Sequence, residues 1–201
     1  MKPYYEHAGI TIYHGDCRIV APELPRFDLM LTDPPYGLGN RMTGGTWGAA
    51  KKYEDMRNWD VAPSGEDILW LATNAATSVV WGGNYFGLPA SRCWLSWSKT
   101  NAVRTMAAVE LAWTTLDRPA LEWRGPVSTH DTGHPTQKPL ALFSWCLSLF
   151  PEARSVLDPF AGSGTTGLAA KNAGVPATLI EIDERYCEIS AKRLAQEVLA
   201  L

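Results

Sequence analysis

The chain predicts an α/β sandwich. Short apolar runs alternate with helical stretches, a glycine-rich turn joins a strand to a helix late in the chain, and a proline-stiffened turn ends a strand near its start. Strands are predicted, in order, over 10–14, 27–32, 78–81, 93–97, 109–114, 155–157 and 177–180. Helices are predicted over 65–74, 139–149, 165–172 and 184–199. The first follows Ser64, a capping residue, and carries Glu66 and Asp67 in its opening turn, where the helix dipole favours negative charge. The second opens on Pro139, a common first helical residue. Two stretches, 37–63 and 117–135, carry no periodicity, and connections of that length are more often functional than accidental.

At 201 residues, 46% of them hydrophobic and 19% charged, the chain suits a single domain spanning 1–201 with one sizeable core. No apolar run approaches the roughly 20 residues of a membrane helix. The opening MKPYYEHAG lacks the apolar stretch of a secretory signal, so the expected setting is cytoplasmic. Cys17, Cys93, Cys146 and Cys187 are scattered without a CxxC pair, which argues against a zinc site or a disulfide framework. A net charge of -3 does not advertise nucleic-acid binding, but phosphate contacts depend on where charge sits.

The segment from Ser155 through Asp158, Phe160, Ala161, Gly162, Ser163, Gly164, Thr165 and Thr166 to Gly167 reads as strand, tight turn and helix start. Gly162 and Gly164 let the backbone approach a ligand closely, and the helix N-terminus points its N–H groups at the turn. Glu181 ends the next strand, where a carboxylate can accept hydrogen bonds from ribose hydroxyls. The spacing of Gly162, Gly164 and Gly167 also fits a dinucleotide fingerprint or plain structural glycines. No Lys follows them as in a P-loop. Only residues 165–201 remain after Gly164, too few for the second half of a dinucleotide fold, and a nucleoside without pyrophosphate fits better.

The apolar run 27–32 leads straight into Asp33-Pro34-Pro35-Tyr36. Two prolines fix the backbone and remove two N–H donors, leaving a rigid turn at a strand's C-terminal end, where open α/β sheets bind ligands. Asp33 and the Pro34 carbonyl can each accept one hydrogen of an amino group, and Tyr36 can stack on a planar ring. A solvated loop with a capping Asp is the competing reading of these four residues.

With His134-Pro135-Thr136-Gln137-Lys138-Pro139 and Ile180-Glu181-Ile182-Asp183, these motifs resemble the DNA amino-methyltransferases, which modify adenine N6 or cytosine N4. Their order, proline turn first and glycine turn last, is similar to that family's permuted β group. The resemblance implies a Rossmann-like S-adenosylmethionine-dependent methyltransferase sandwich of seven mostly parallel strands with one antiparallel strand, circularly permuted. The chain would be cut between the usual second and third strands, leaving the third at 10–14. It implies Asp33, Pro34, Pro35 and Tyr36 as the catalytic turn. Asp158 and the backbone from Phe160 to Gly164 would hold the methionine end of S-adenosylmethionine, with Thr165, Thr166 and Asp33 also among the cofactor contacts. Glu181 would hold the ribose, and Asp16, Cys17 and Ile182 the adenine. Thr136 and Lys138 would complete the cofactor contacts.

The resemblance further implies in-line methyl transfer to an exocyclic amine of a base flipped out of double-stranded DNA, leaving S-adenosylhomocysteine and needing no metal. Asp at the first catalytic position favours adenine, with cytosine N4 as the alternative and a non-catalytic DNA-binding partner subunit as the reading from a different class. Carbon-5 chemistry is excluded because no cysteine has a nucleophile's setting. DNA contacts are expected from Arg41, Trp47, Lys51, Lys52 and Arg57 in the 37–63 insertion, and from Arg118 and Arg124 in or near the 117–133 insertion. So short a reader implies relaxed recognition, or a homodimer that supplies a second reader. A cell of a bacterium, or a phage acting in one, is the implied context.

Overall fold

The computed structural model describes residues 1–38, 61–103, 107–127 and 137–196. Its strands are β1 (Tyr5–His7), β2 (Ile10–His14), β3 (Phe27–Thr32), β4 (Ala75–Trp81), β5 (Trp94–Lys99), β6 (Val109–Thr114), β7 (Leu121–Gly125), β8 (Val156–Asp158) and β9 (Ala177–Glu181). Its helices are α1 (Cys17–Val20), α2 (Gly65–Ala72), α3 (Leu140–Ser148), α4 (Thr165–Ala173) and α5 (Glu184–Ala195). The strands form one sheet in the order β1-β2-β9-β8-β3-β4-β6-β5-β7. β2, β9, β8, β3 and β4 run parallel, and β6 runs against both β4 and β5.

The seven expected strands are therefore present, and two more flank them. β1 pairs antiparallel with β2, and β7 pairs parallel with β5. β1 is three residues long, too short to show a period. β7 corrects the expectation that 117–133 is an unstructured insertion. Its Leu121 and Trp123 alternate with Glu122 and Arg124, and the two apolar side chains pack against the core. α1, the 3₁₀ turns at Ala21–Glu23 and Gly83–Tyr85, and an earlier start to β4 also go beyond the sequence reading. α5 ends at Ala195 rather than Leu199, because Gln196 is extended and Lys171 donates to the carbonyls of Leu194 (2.6 Å) and Gln196 (3.0 Å).

Strand alternation builds two cores, one on each face. Leu29, Leu31, Val79, Trp81, Val156 and Leu179 point to the face that Leu142, Phe143 and Cys146 of α3, Ala169 and Ala170 of α4, and Leu194 of α5 cover. Met30, Val80, Leu157 and Ile180 point to the other, under Val20 of α1 and Ile68 and Leu71 of α2. Each such side chain contributes roughly 1.5–3 kcal/mol on burial. Among the described residues no helix is long and apolar enough to cross a membrane.

α4 starts at Gly164 and stops at Gly174, both left-handed, at φ +78° and +69°. A Cβ on Gly164 would lie 2.0 Å from Ser190 Oγ, whereas one on Gly174 would meet nothing. Gly174→Ala should cost about 1–3 kcal/mol from backbone strain alone. Gly164→Ala should cost more than that in urea denaturation, and equal losses would contradict the packing of α5 on the turn.

Candidate active site

The C-terminal ends of four neighbouring parallel strands each present a carboxylate: Asp16 just past β2, Glu181 ending β9, Asp158 ending β8 and Asp33 just past β3. The two motif turns therefore meet. Thr32, next to Asp33, donates its hydroxyl to Asp158 Oδ1 at 2.7 Å, with both side chains buried. Thr166 donates to Asp158 Oδ2, and the Phe160 amide to Oδ1 at 3.0 Å. Burial still pushes the Asp158 carboxyl up to about 6, against these donors.

Within the glycine turn most of the expected backbone donors are engaged by the protein. Ala161 N–H binds Ile180 O, Gly162 N–H binds Glu181 Oε2 at 2.7 Å, and Gly164 N–H binds Ala161 O. Ser163, 3% exposed, receives Arg193 on its carbonyl and on its hydroxyl, and lies 3.4 Å from Gln137 Oε1. Thr165 and Thr166 are buried. The Ser163 and Thr166 side chains brace the turn from inside. Glu181 takes its second amide from Asp183 at 2.9 Å, and burial raises its carboxyl against the two amides. Ile182, beside it, is 67% exposed, an apolar surface open to a flat ring. Asp16 caps α1 through Arg18 N–H at 2.9 Å and pairs with the Arg18 guanidinium; Cys17 opens that helix.

At the proline turn, Tyr36 donates its hydroxyl to Asp33 Oδ1 at 2.6 Å, and its ring stacks on Tyr85, centroids 5.0 Å apart. Gly82, at φ +69°, lies so close that a Cβ there would sit 2.0 Å from Tyr36 Cε1. Lys138 was expected on the cofactor. In this structure its ammonium reaches Asp33 at 2.8 and 2.7 Å and Tyr36 Oη at 3.0 Å. It also lies 3.2 Å from Glu110, which pairs with Lys99. Burial raises the Asp33 carboxyl, Lys138 opposes that rise, and Glu110 adds to it.

Glu110, Lys99 and Tyr85 were missed. Alone in sequence, a charge inside a β-strand reads as a solvated face, and only the reversed run of β6 brings Glu110 to this edge. An aromatic two residues after Gly82-Gly83, past a strand end, was the one available signal for Tyr85. Thr136, Arg41, Trp47, Lys51, Lys52 and Arg57 lie outside the described residues. Arg124 is exposed near the C-terminal end of β7, at the same edge as Asp33. Arg118 precedes the start of β7, at the opposite edge, so the parallel pairing of β7 with β5 removes it from the site. The thiols are not poised as nucleophiles: burial pushes Cys17 to about 11 and Cys187 to about 12, and raises Cys93 and Cys146.

An ordinary Asp titrates near 3.9, so at about 6 Asp158 makes the folded state the stronger proton binder between those values. The cost of its burial therefore grows as pH rises from about 4 to about 6 and is full above that, on the order of 3 kcal/mol. Asp158→Asn, which cannot ionise, should melt above the unaltered protein at pH 7.5, with the gap closing toward pH 4. Parallel pH profiles of Tm would contradict an ionised carboxylate in this setting.

Residues 60–192 match the N6_N4_Mtase family of DNA methylases. The chain is 28% identical to the type II methyltransferase M.ScaI of Streptomyces caespitosus, over all of this chain and 86% of that protein. Among solved structures, the cytosine-N4-specific PvuII DNA methyltransferase superposes with a TM-score of 0.66 at 19% identity, covering 99% of this chain and 91% of that one. The M1.HpyAVI–SAM complex gives 0.59 at 23% identity, covering 93% and 100%. At those identities the superpositions speak for the fold. The family match spans more than half of the chain and includes both the glycine turn and Lys138, so the chain belongs to the N6/N4 family of DNA methylases.

Proposed function

We propose that this DNA methylase moves a methyl group from S-adenosylmethionine to the exocyclic amine of adenine in double-stranded DNA, with the base turned out of the stack. The observation that carries the reading is the Thr32–Asp158 hydrogen bond, which joins the proline turn to the glycine turn at neighbouring strand ends. The donor set suits this cofactor. Three carboxylates in a row, Asp16, Glu181 and Asp158, complement a diol, an ammonium and a sulfonium, and no Lys stands in the glycine turn to receive a pyrophosphate. The apolar, open Ile182 offers a surface to an adenine ring. A relative solved as its SAM complex supports the same cofactor.

S-adenosylmethionine supplies the methyl group, carried on its sulfonium. On this reading Glu181 holds the ribose, and Asp158 the methionine end. Asp33 and the Pro34 carbonyl accept the two amine hydrogens, orienting the nitrogen lone pair and stabilising the positive charge that develops there. The prolines keep both acceptors fixed, and Tyr36 with Tyr85 forms an aromatic wall for the base. Asp, rather than Ser, at position 33 favours adenine over cytosine. On this reading Arg124, exposed and paired with Glu122, would meet backbone phosphate, with Arg41, Lys51, Lys52 and Arg57 as further cations and Trp47 as a stacking side chain. The place of β2 at the start of the chain yet beside β9 supports a circularly permuted arrangement. A second copy of the chain would enlarge the DNA-reading surface. The relative from Streptomyces caespitosus supports placing the activity in the cytoplasm of a bacterial cell, or of a phage's host.

Nucleosides from treated DNA should contain N6-methyladenine on mass spectrometry; N4-methylcytosine in its place would overturn the adenine assignment. S-adenosylhomocysteine, and no nicotinamide nucleotide, should raise Tm. Asp33→Ala should abolish transfer while that Tm shift persists, and normal methylation by the variant would remove Asp33 from its role.

A further inference from the structure

Asp33, Lys138, Glu110 and Lys99 form a row of alternating charge behind the proline turn. The two lysines are 7% and 5% exposed, so the row is largely withdrawn from water. Lys138 Nζ has four acceptors within reach: both Asp33 oxygens at 2.8 and 2.7 Å, Tyr36 Oη at 3.0 Å and Glu110 Oε2 at 3.2 Å. An ammonium has three protons, so one acceptor must go without. It is Glu110 Oε2, buried, in ion-pair range and without a hydrogen bond. Lys99 meanwhile holds the Glu110 carboxylate from β5, with its own ammonium 4.9 Å from the Trp97 ring centroid.

Asp33 is over-engaged for its part in the reaction. Lys138 sits on both its oxygens and Tyr36 on one of them, and a fixed cation beside an amine that is gaining positive charge opposes transfer. We propose that Glu110 is a positioning residue that draws the Lys138 ammonium away from Asp33 when the target amine arrives, freeing a carboxylate oxygen to accept the amine hydrogen. Glu110 Oε2 already lies in ion-pair range of Nζ, about half an ångström farther than the Asp33 oxygens, so the ammonium has a second carboxylate to move onto. Lys99 keeps Glu110 in place, and the positive charge of Lys138 stays compensated in either position. The inference rests on the methyl-transfer reading above.

Glu110→Gln keeps the shape and removes the charge. With cofactor and DNA saturating, kcat should fall on the order of 10- to 100-fold, while KM for DNA and the Tm shift with S-adenosylhomocysteine change little. The groups facing Asp33 are Lys138, Tyr36, Glu110 and, from the adjacent β8, Asp158. Glu110 raises the Asp33 carboxyl and Lys138 lowers it, so without Glu110 the acid limb of kcat should move to lower pH. Glu110→Asp should restore the limb and part of the rate. The double variant Lys99→Met/Glu110→Gln, which removes a neutral pair and so protects folding, should stay slow. Unchanged kcat and acid limb in Glu110→Gln, or recovery of kcat in the double variant, would overturn the role of Glu110 alone. Absence of methyl transfer by the unaltered protein would overturn the functional reading and this inference with it.

Discussion

Thr32 and Asp158 stand on adjacent parallel strands, 126 residues apart in the chain, and the buried 2.7 Å hydrogen bond between them fixes where everything else at the site lies. Asp33 follows Thr32 directly, and the glycine turn follows Asp158 directly, so one short contact sets the offset between two functional turns. The prolines transmit that offset to Asp33 with little slack, since their φ angles are fixed. Gly162 and Gly164 do the complementary work on the other side by supplying left-handed backbone.

Such an edge is expensive to build. Asp33, Asp158 and Glu181 are all raised by burial, and each is kept by local donors: Lys138 and Tyr36 for the first, Thr32, Thr166 and Phe160 for the second, Gly162 and Asp183 for the third. The sandwich offsets this with two alternating cores that run the length of the sheet. Glu110 has the opposite balance. Burial pushes its carboxyl up, but Lys138 and Lys99 outweigh that and hold it at about 2. Glu110 thus stands as a second carboxylate beside the Lys138 ammonium that holds Asp33.

Much of the fold was legible along the chain. β2, β3 and β6 have the expected bounds, because five or six apolar-patterned residues between turn signals leave little choice of period. β7 was not recognised although Leu121 and Trp123 alternate with polar neighbours, because an edge strand of five residues inside a polar stretch looks like a loop until a partner strand is known. The Ser163 and Thr166 side chains brace the glycine turn, a part that neither residue's type announces in sequence.

Sequence by itself determined the local devices: a stiff carboxylate turn, a tight glycine turn before a helix, and an acidic strand end, each written in contiguous residues whose backbone preferences act over a few positions. Tertiary structure alone decided which long-range charges share a site. Lys138 reaches Asp33 across more than a hundred residues, Glu110 comes to the same edge because β6 runs backward, and Arg118 lies at the other because β7 runs forward. Strand direction and order set those distances, and they follow from how the whole sheet buries its two faces.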